Sequence, residues 1–219
     1  MELPSPTTVL LADDHAVVAE GLAALLRESF TLVATVKDGR ELLAASEKYK
    51  PDVIVTDISM PLLNGLDAIR QIRSKRPDAK IVVLTMHADR DLAVEAFRGG
   101  ASGYVLKTSP GEELLTAIRT VAQGRVFLTS LIAKDMIDVL LEANQEPKAG
   151  GSKLTPRQRE VLQLIAEGRT MKEVAGVLLI SPRTAESHKY EMMQLLGVTT
   201  TAGLIQHAIR MKLVQEPGS

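Results

Sequence analysis

Five short runs of β-branched and aliphatic residues alternate with longer amphipathic segments between Thr8 and Gly124. This alternation predicts a parallel sheet with helices on both faces, because parallel strands are joined by helical crossovers. The predicted strands cover residues 9–12, 31–36, 52–57, 80–85 and 102–106, and the predicted helices cover residues 16–28, 40–48, 65–75, 89–98 and 111–123. We therefore predict an α/β domain with a doubly wound, five-stranded parallel sheet.

The chain from Leu154 onward shows helix patterns and no strand pattern. Thr155, Thr170 and Ser181 are predicted N-caps, and the first two precede a Gln or Glu at the position that completes a capping box. The short connection LLIS joins the second and third of four predicted helices, as a helix-turn-helix requires. This part is therefore predicted to be a small all-α domain of four helices.

A connecting region separates these two parts. The segment 128–145 places apolar residues on one helical face, and the following EPKAGGS has the composition of a flexible linker. We therefore expect a first domain at residues 1–125, a connecting helix and linker at 126–153, and a second domain at 154–219.

Composition excludes several classes of protein. The chain has no cysteine, which excludes disulfides and thiolate metal sites. The absence of cysteine also fits a reducing cytoplasm, which is where we expect the protein to be located. No apolar run approaches the roughly 20 residues that span a bilayer, and MELPSPTTV at the start lacks a signal-peptide pattern. Residues 154–219 carry eight basic and six acidic side chains, whereas residues 1–124 carry 14 basic and 17 acidic ones. This difference weakly favours nucleic acid as a partner of the C-terminal part.

The polar residues that fit the predicted sheet least well all lie where strands end. Asp13 and Asp14 follow the first strand and Asp57 ends the third. Thr85 ends the fourth strand, and Lys107 follows the fifth. Because ligands bind at the carboxyl ends of the strands in doubly wound sheets, we expect these five side chains to share one crevice.

The chemistry of this crevice suggests a phosphoryl site. Three carboxylates repel one another unless a cation is present, and Mg²⁺ suits them because it needs few protein carboxylates and retains several waters. The Thr85 hydroxyl and the Lys107 ammonium are groups that bind phosphoryl oxygens. Each residue alone has a plainer interpretation, as a helix or loop cap, a strand residue or a solvated charge. Their placement on four strand ends favours the phosphoryl site.

Several separately placed motifs resemble those of a known family: LLADDH (10–15), VIVTDISMPLLNG (53–65), VVLTMHA (82–88), GASGYVLK (100–107) and LTPRQREVLQLIAEGRTMKEVAGVLLIS (154–181). Residues 8–124 resemble a response-regulator receiver domain, which has a flavodoxin-like fold. Residues 154–214 resemble the LuxR-type helix-turn-helix. Together they resemble the NarL/FixJ family of two-component response regulators, which are transcription factors and not enzymes.

The resemblance implies a role for each residue of the crevice. Asp57 would accept a phosphoryl group from a cognate sensor histidine kinase and would help to bind Mg²⁺. Asp14 would bind Mg²⁺ directly, Asp13 through water, and Ser59 through its backbone carbonyl. Thr85 and Lys107 would bind the phosphoryl oxygens. Tyr104 would change position as Thr85 moves inward. Phosphorylation would then change dimerisation and free the C-terminal helices for DNA binding.

The predicted DNA-reading helix is the third helix of the second domain, residues 181–197. Ala185, His188, Met192, Leu195 and Leu196 share the face expected to pack on the core. The residues expected at DNA are Arg183, Thr184, Glu186, Ser187, Lys189, Tyr190 and Gln194 on this helix, with Arg157, Arg159, Arg169 and Lys172 outside it. The helix carries two basic and two acidic residues, so we expect weak binding by one copy and tighter binding by two.

The fourth helix of the second domain resembles the dimerising helix of the family. The residues that carry this resemblance are Ala202, Ile205, Ala208 and Ile209. A homodimer formed on phosphorylation would read an inverted-repeat site in double-stranded DNA.

Two other functions remain open from the sequence. An aspartyl-phosphate phosphatase or phosphotransferase also uses a strand-end Asp, but such enzymes usually carry nucleophile and acid in one Asp-x-Asp motif. Here the adjacent acids, Asp13 and Asp14, lie on a different strand from Asp57. A regulator that acts through protein contacts alone would explain the near-neutral reading helix. Labelling with a small phosphodonor and a DNA-binding assay distinguish these functions from a phosphorylated transcription factor.

Overall fold

The computed structural model describes residues 6–86, 88–133 and 154–214. It divides into an N-terminal and a C-terminal compact unit, each of which is described by itself. No helix in these ranges is both long enough and apolar enough to cross a bilayer.

The N-terminal unit is a parallel α/β sheet with strand order β2-β1-β3-β4-β5-β6. The predicted doubly wound fold is confirmed. The strands are β1 (Thr8–Ala12), β2 (Thr31–Val36), β3 (Val53–Asp57), β4 (Lys80–Thr85), β5 (Gly103–Leu106) and β6 (Phe127–Leu128). The helices are α1 (Ala16–Arg27), α2 (Gly39–Tyr49), α3 (Gly65–Lys75), α4 (Arg90–Gly99) and α5 (Gly111–Ala122).

The sheet has six strands, so the predicted number of five is wrong. The sixth strand, β6, is only two residues long, and its register aligns Phe127 with Gly103 and Leu128 with Tyr104. A strand of two residues is too short to show the period-2 pattern from which strands are predicted. The chain reaches β6 after a turn at Gly124, where φ is +77°.

The central strands are buried along their whole length, which explains their continuous apolar runs. All five residues of β3 are buried, as are five of the six residues of β4. Val55, Val82 and Leu84 pack in one apolar cluster with Ile118 and Val121 of α5. This packing holds the carboxyl ends of β1, β3, β4 and β5 along one edge of the sheet.

The C-terminal unit is all α, and the four predicted helices are confirmed: α6 (Pro156–Ala166), α7 (Met171–Leu178), α8 (Pro182–Leu196) and α9 (Thr201–Arg210). Both predicted capping boxes form, at the starts of α6 and α7. Between α7 and α8, Leu179 adopts a left-handed conformation with φ +53°. Its side chain is 92% exposed, so this turn gains no burial from the leucine.

The predicted connecting helix at 128–145 falls mostly outside the described residues. Residues 130–133 are helical, directly after β6. Thr129 and Ile132 are buried, and the Thr129 N–H donates a 3.0 Å hydrogen bond to the Tyr104 carbonyl. The N-terminal sheet therefore continues past residue 125.

Candidate functional site

Asp57 ends β3 with its carboxylate buried at the carboxyl edge of the sheet. One oxygen, Oδ1, accepts hydrogen bonds from the N–H groups of Ile58 (2.6 Å) and Ser59 (3.4 Å). The other oxygen, Oδ2, lies 2.7 Å from the Lys107 Nζ. Burial raises the pKa of Asp57, and the nearby Lys107 ammonium opposes this rise without cancelling it.

Lys107 joins two of the predicted carboxylates. Its Nζ lies 2.6 Å from Asp13 Oδ2 as well as 2.7 Å from Asp57 Oδ2. The hydrogen bond from the Lys107 N–H to the Thr85 carbonyl (2.7 Å) fixes its backbone to the end of β4. Burial alone would lower the pKa of Lys107, but Asp57 and Asp13 outweigh burial and raise it. The ammonium therefore stays charged between the two carboxylates.

Asp14 and His15 complete the rim of this crevice. His15 Nδ1 lies 2.9 Å from Asp14 Oδ1 and 3.4 Å from Asp13 Oδ1. Asp13, Asp14, His15 and Asp57 each offer one ligand atom, and these atoms all lie within 4.8 Å of one another. The sequence interpretation assigned no role to His15, although its position directly after the two acids was a signal for one.

Mg²⁺ fits the donor set of the crevice, because the three carboxylates offer the hard oxygen ligands that this ion prefers. Asp13 and Asp57 are buried, whereas Asp14 is exposed, so the cluster is open to solvent on one side. When bound, the ion would neutralise negative charge on the carboxylates and on phosphoryl oxygens.

Gly65 is a further residue that the site requires. A Cβ atom at this position would lie 2.0 Å from the Asp57 carbonyl oxygen, a distance that no side chain tolerates. The Gly65 N–H donates to the Ile58 carbonyl at 2.7 Å and so holds the start of α3 against the end of β3. Gly65 stood in the quoted motif, but its role depends on a close backbone approach that the sequence does not show.

Thr85 and Tyr104 lie on the neighbouring strands β4 and β5, and β4 pairs with the strand that carries Asp57. Thr85 ends β4, and both residues are fully buried. In the register of β4 and β5, Tyr104 pairs with Val83, and Thr85 pairs with Leu106. Burial raises the pKa of Tyr104, with smaller contributions from Asp89 and Asp57, so its hydroxyl stays neutral. Ser59, whose carbonyl is the predicted ligand, is half-buried.

The exposed side of α8 carries five of the seven residues of this helix that are predicted to contact DNA. Ala185 and Met192 are buried in the core, and His188 is half-buried. Glu186 and Lys189 are also half-buried. The exposed members of the predicted set are Arg183, Thr184, Ser187, Tyr190 and Gln194.

Leu195 lies outside the core, contrary to the prediction. Its side chain is 43% exposed, although the helical projection grouped it with Met192. At about 100° per residue, Leu195 lies roughly 60° from Met192, which places it at the border of the buried face.

Two of the four predicted DNA contacts outside α8, Arg157 and Lys172, differ in their surroundings. Arg157 forms an ion pair with Glu160 (3.0 Å) and donates to the Leu178 carbonyl (2.5 Å) at the end of α7. This arginine therefore supports the helix-turn-helix itself. Lys172 is exposed in the first turn of α7.

The four predicted dimerisation residues on α9 are not equally accessible. Ala202 is exposed, and Ile205 and Ile209 are half-buried. Ala208 is fully buried in the core of its own unit, so its side chain does not contribute to a surface in this conformation.

Comparison with known proteins agrees with this architecture. Residues 9–119 match the family model for the response regulator receiver domain, and residues 152–208 match the model for bacterial regulatory proteins of the luxR family. The chain is 37% identical over 212 residues to the transcriptional regulatory protein MctR of Rhizobium johnstonii, covering 96% of each chain.

Solved structures show the same relationship. A LuxR-family two-component response regulator from Aurantimonas sp. matches with 34% identity and a TM-score of 0.60, covering 63% of this chain and 99% of that one. The two-component response regulator RcsB, in a complex with DNA, matches with 27% identity and a TM-score of 0.58, covering 96% of this chain and all of that one.

The family that combines a receiver domain with a LuxR-type domain consists of transcriptional regulators and not of enzymes. The chain belongs to the two-component response regulators that join a receiver domain to a LuxR-type DNA-binding domain, as its motifs predicted.

Proposed function

We propose that a sensor histidine kinase phosphorylates Asp57 and that phosphorylation controls dimerisation and DNA binding of this regulator in the cytoplasm. The observation that carries the proposal is the position of Asp57 beside Lys107 and two further carboxylates at one edge of the receiver sheet. A buried carboxylate with a paired cation and a metal-compatible donor set is suited to accept a phosphoryl group.

The side chains of the crevice have separate tasks in the transfer. An Asp57 oxygen attacks the phosphorus atom, and the bond from phosphorus to the imidazole nitrogen of the donor breaks as the new bond forms. The ammonium of Lys107, already 2.7 Å from Asp57 Oδ2, neutralises charge on the phosphoryl oxygens. Asp13, Asp14 and the Ser59 carbonyl would hold Mg²⁺, which supplies further charge neutralisation.

The signal would leave the crevice through Thr85. Its hydroxyl donates a hydrogen bond to the new phosphoryl group, and the buried Tyr104 on the adjacent strand responds to the movement of Thr85. Support for this step comes from the full burial of both side chains. In a close-packed region, displacement of one side chain requires displacement of its neighbours.

The DNA-binding domain would place α8 in the major groove. Five of its predicted contact residues are exposed, and one relative of this chain, RcsB, has been solved with DNA. Because the charges of α8 nearly cancel, two copies of the domain would be needed for tight binding to an inverted repeat. The exposed or half-buried Ala202, Ile205 and Ile209 on α9 support a small dimer interface.

Phosphorylation is tested by labelling the full chain with a small phosphodonor and Mg²⁺. Wild type should take up one phosphoryl group, and Asp57→Asn should take up none. Asp52→Asn is the matched control: Asp52 directly precedes β3, at the end opposite Asp57, and accepts a hydrogen bond from the Thr8 N–H. It should label like wild type.

Two outcomes would overturn the phosphorylation part of the proposal, and a third would overturn the DNA-binding part. Undiminished labelling of Asp57→Asn would refute the phosphorylation site, and release of phosphate over many turnovers would indicate a hydrolytic enzyme. The DNA-binding part fails if the phosphorylated wild-type chain shifts no DNA from its own promoter region at low salt, where electrostatic attraction is strongest.

A further inference from the structure

We propose that His15 is a direct ligand in the metal site and makes this receiver domain favour a divalent transition-metal ion, such as Mn²⁺, over Mg²⁺. The inference rests on the proposed function, because it concerns the metal site beside Asp57. It goes beyond that function by naming a nitrogen ligand and the class of ion that such a ligand selects.

The first observation is that the imidazole is not used by its own helix. His15 is the N-cap of α1, yet its side chain makes no capping hydrogen bond. The imidazole instead faces the acidic residues, with Nδ1 2.9 Å from Asp14 Oδ1 and 3.4 Å from Asp13 Oδ1. Its side chain is half exposed, so an ion can reach it from solvent.

The second observation is that the spacing suits one shared ion. Adjacent ligands of an octahedral ion with bonds of about 2.1 Å lie roughly 3 Å apart, and opposite ligands lie about 4.2 Å apart. His15 Nδ1 and Asp14 Oδ1 are separated by 2.9 Å, close to the spacing of adjacent ligands. One ligand atom from each of Asp13, Asp14, His15 and Asp57 lies within 4.8 Å of the other three. Small side-chain rotations would therefore bring an oxygen and the nitrogen onto neighbouring positions of the same ion.

The chemistry of the nitrogen gives the selectivity. Carboxylate and water oxygens suit Mg²⁺ and Mn²⁺ alike, whereas imidazole nitrogen suits transition metals. Mg²⁺ also gives up its water ligands reluctantly. Replacing one water by His15 would therefore strengthen binding of Mn²⁺ and leave binding of Mg²⁺ almost unchanged.

The alternative is that His15 only hydrogen-bonds to Asp14, with the proton on Nδ1. The imidazole would then stay outside the coordination sphere, and the site would have oxygen ligands alone. The two arrangements differ in whether a histidine nitrogen couples magnetically to a bound Mn²⁺ ion.

The experiment uses the full-length chain, stripped of metal and loaded with Mn²⁺. Electron spin echo envelope modulation should detect ¹⁴N coupling from a histidine in the wild type and no such coupling in His15→Asn. Asn is a favoured N-cap residue, so this variant keeps the start of α1. His207→Ala, in the C-terminal unit, is the control and should retain the nitrogen signal.

Affinity provides a second readout. Titration calorimetry should show that His15→Asn weakens Mn²⁺ binding by about tenfold, which is the lower end of the effects seen for altered metal sites. The same substitution should weaken Mg²⁺ binding by less than about twofold. Mn²⁺ binding without nitrogen coupling in wild type, or an unchanged ratio of the two affinities, would overturn the role of His15. If Asp57 still labels in Mg²⁺, the proposed function survives that result. If neither ion binds and Asp57 does not label, the proposed function itself fails.

Discussion

Replacement of Lys107 by methionine tests the electrostatics of the phosphoacceptor crevice. Methionine keeps much of the apolar length of lysine and removes the charge. The side chains of Lys107, Asp57 and Asp13 are 6%, 5% and 1% exposed, so the variant leaves two buried carboxylates without their common cation. Removing one partner of a buried ion pair costs about 3–5 kcal/mol, because the remaining charge is uncompensated. We expect the free energy of unfolding of the N-terminal unit to fall by this amount at pH 7.

The assay is urea unfolding of the full chain, followed by circular dichroism in the presence of a chelator. Lys75→Met is the matched control, because Lys75 is 66% exposed and contacts Glu47 at the surface. An exposed pair of this kind contributes less than about 1 kcal/mol. Since burial already raises the pKa of Asp57 and Lys107 opposes that rise, the variant should raise the pKa further. The loss of stability should therefore shrink as the pH falls through the pKa of Asp57 in the folded state.

A double variant tests whether the loss comes from charge. Lys107→Met combined with Asp57→Asn removes one of the two uncompensated carboxylates, so it should be more stable than Lys107→Met alone. The reasoning is refuted if Lys107→Met loses no more stability than Lys75→Met. It is also refuted if the double variant recovers nothing.

Three further predictions concern the backbone and the titration of the site. Leu179→Gly should stabilise the C-terminal unit by about 1 kcal/mol, because Leu179 is exposed and has φ +53°; an unchanged melting temperature would contradict this. Gly65→Ala should slow phosphoryl labelling and lower the free energy of unfolding by about 1–3 kcal/mol, whereas Gly21→Ala, with open space around its Cβ, should label normally. At pH 7 without metal, Asp57→Asn should unfold at higher urea than wild type, since the raised pKa of Asp57 means that its charge is disfavoured in the folded state. That difference should shrink as wild type becomes protonated at lower pH, and a difference independent of pH would exclude this cause.

The parts of the fold with long, regular patterns could be predicted from the sequence. The buried runs of β3 and β4 and the capping boxes of α6 and α7 carry their signals within a few neighbouring residues. The ends of the strands were predictable for the same reason, and Asp57 and Lys107 were predicted as site residues because they lie at those ends.

Features that depend on distant contacts were not predictable in the same way. β6 is stabilised by pairing with β5, and its two residues show no periodicity of their own. Gly65 is required because a Cβ atom at this position would lie 2.0 Å from the backbone of β3, an approach that local sequence patterns do not show. Leu195 lies at the border of a helical face, where a projection of about 100° per residue does not decide burial. His15 directly follows two acids in the sequence, but only the distances between the side chains show that its imidazole faces the crevice.

The short strand β6 also bears on the solubility of the receiver domain when it is separated from the rest of the chain. An unpaired strand edge can template pairing between molecules, and very short edge strands reduce that hazard. Here β6 covers β5 and leaves only two residues of strand at this margin of the sheet. A fragment cut at residue 125 would lose this cover and expose the Ser102 and Tyr104 carbonyls that accept hydrogen bonds from Phe127 and Thr129. Such a fragment should aggregate more readily than one that continues to residue 133.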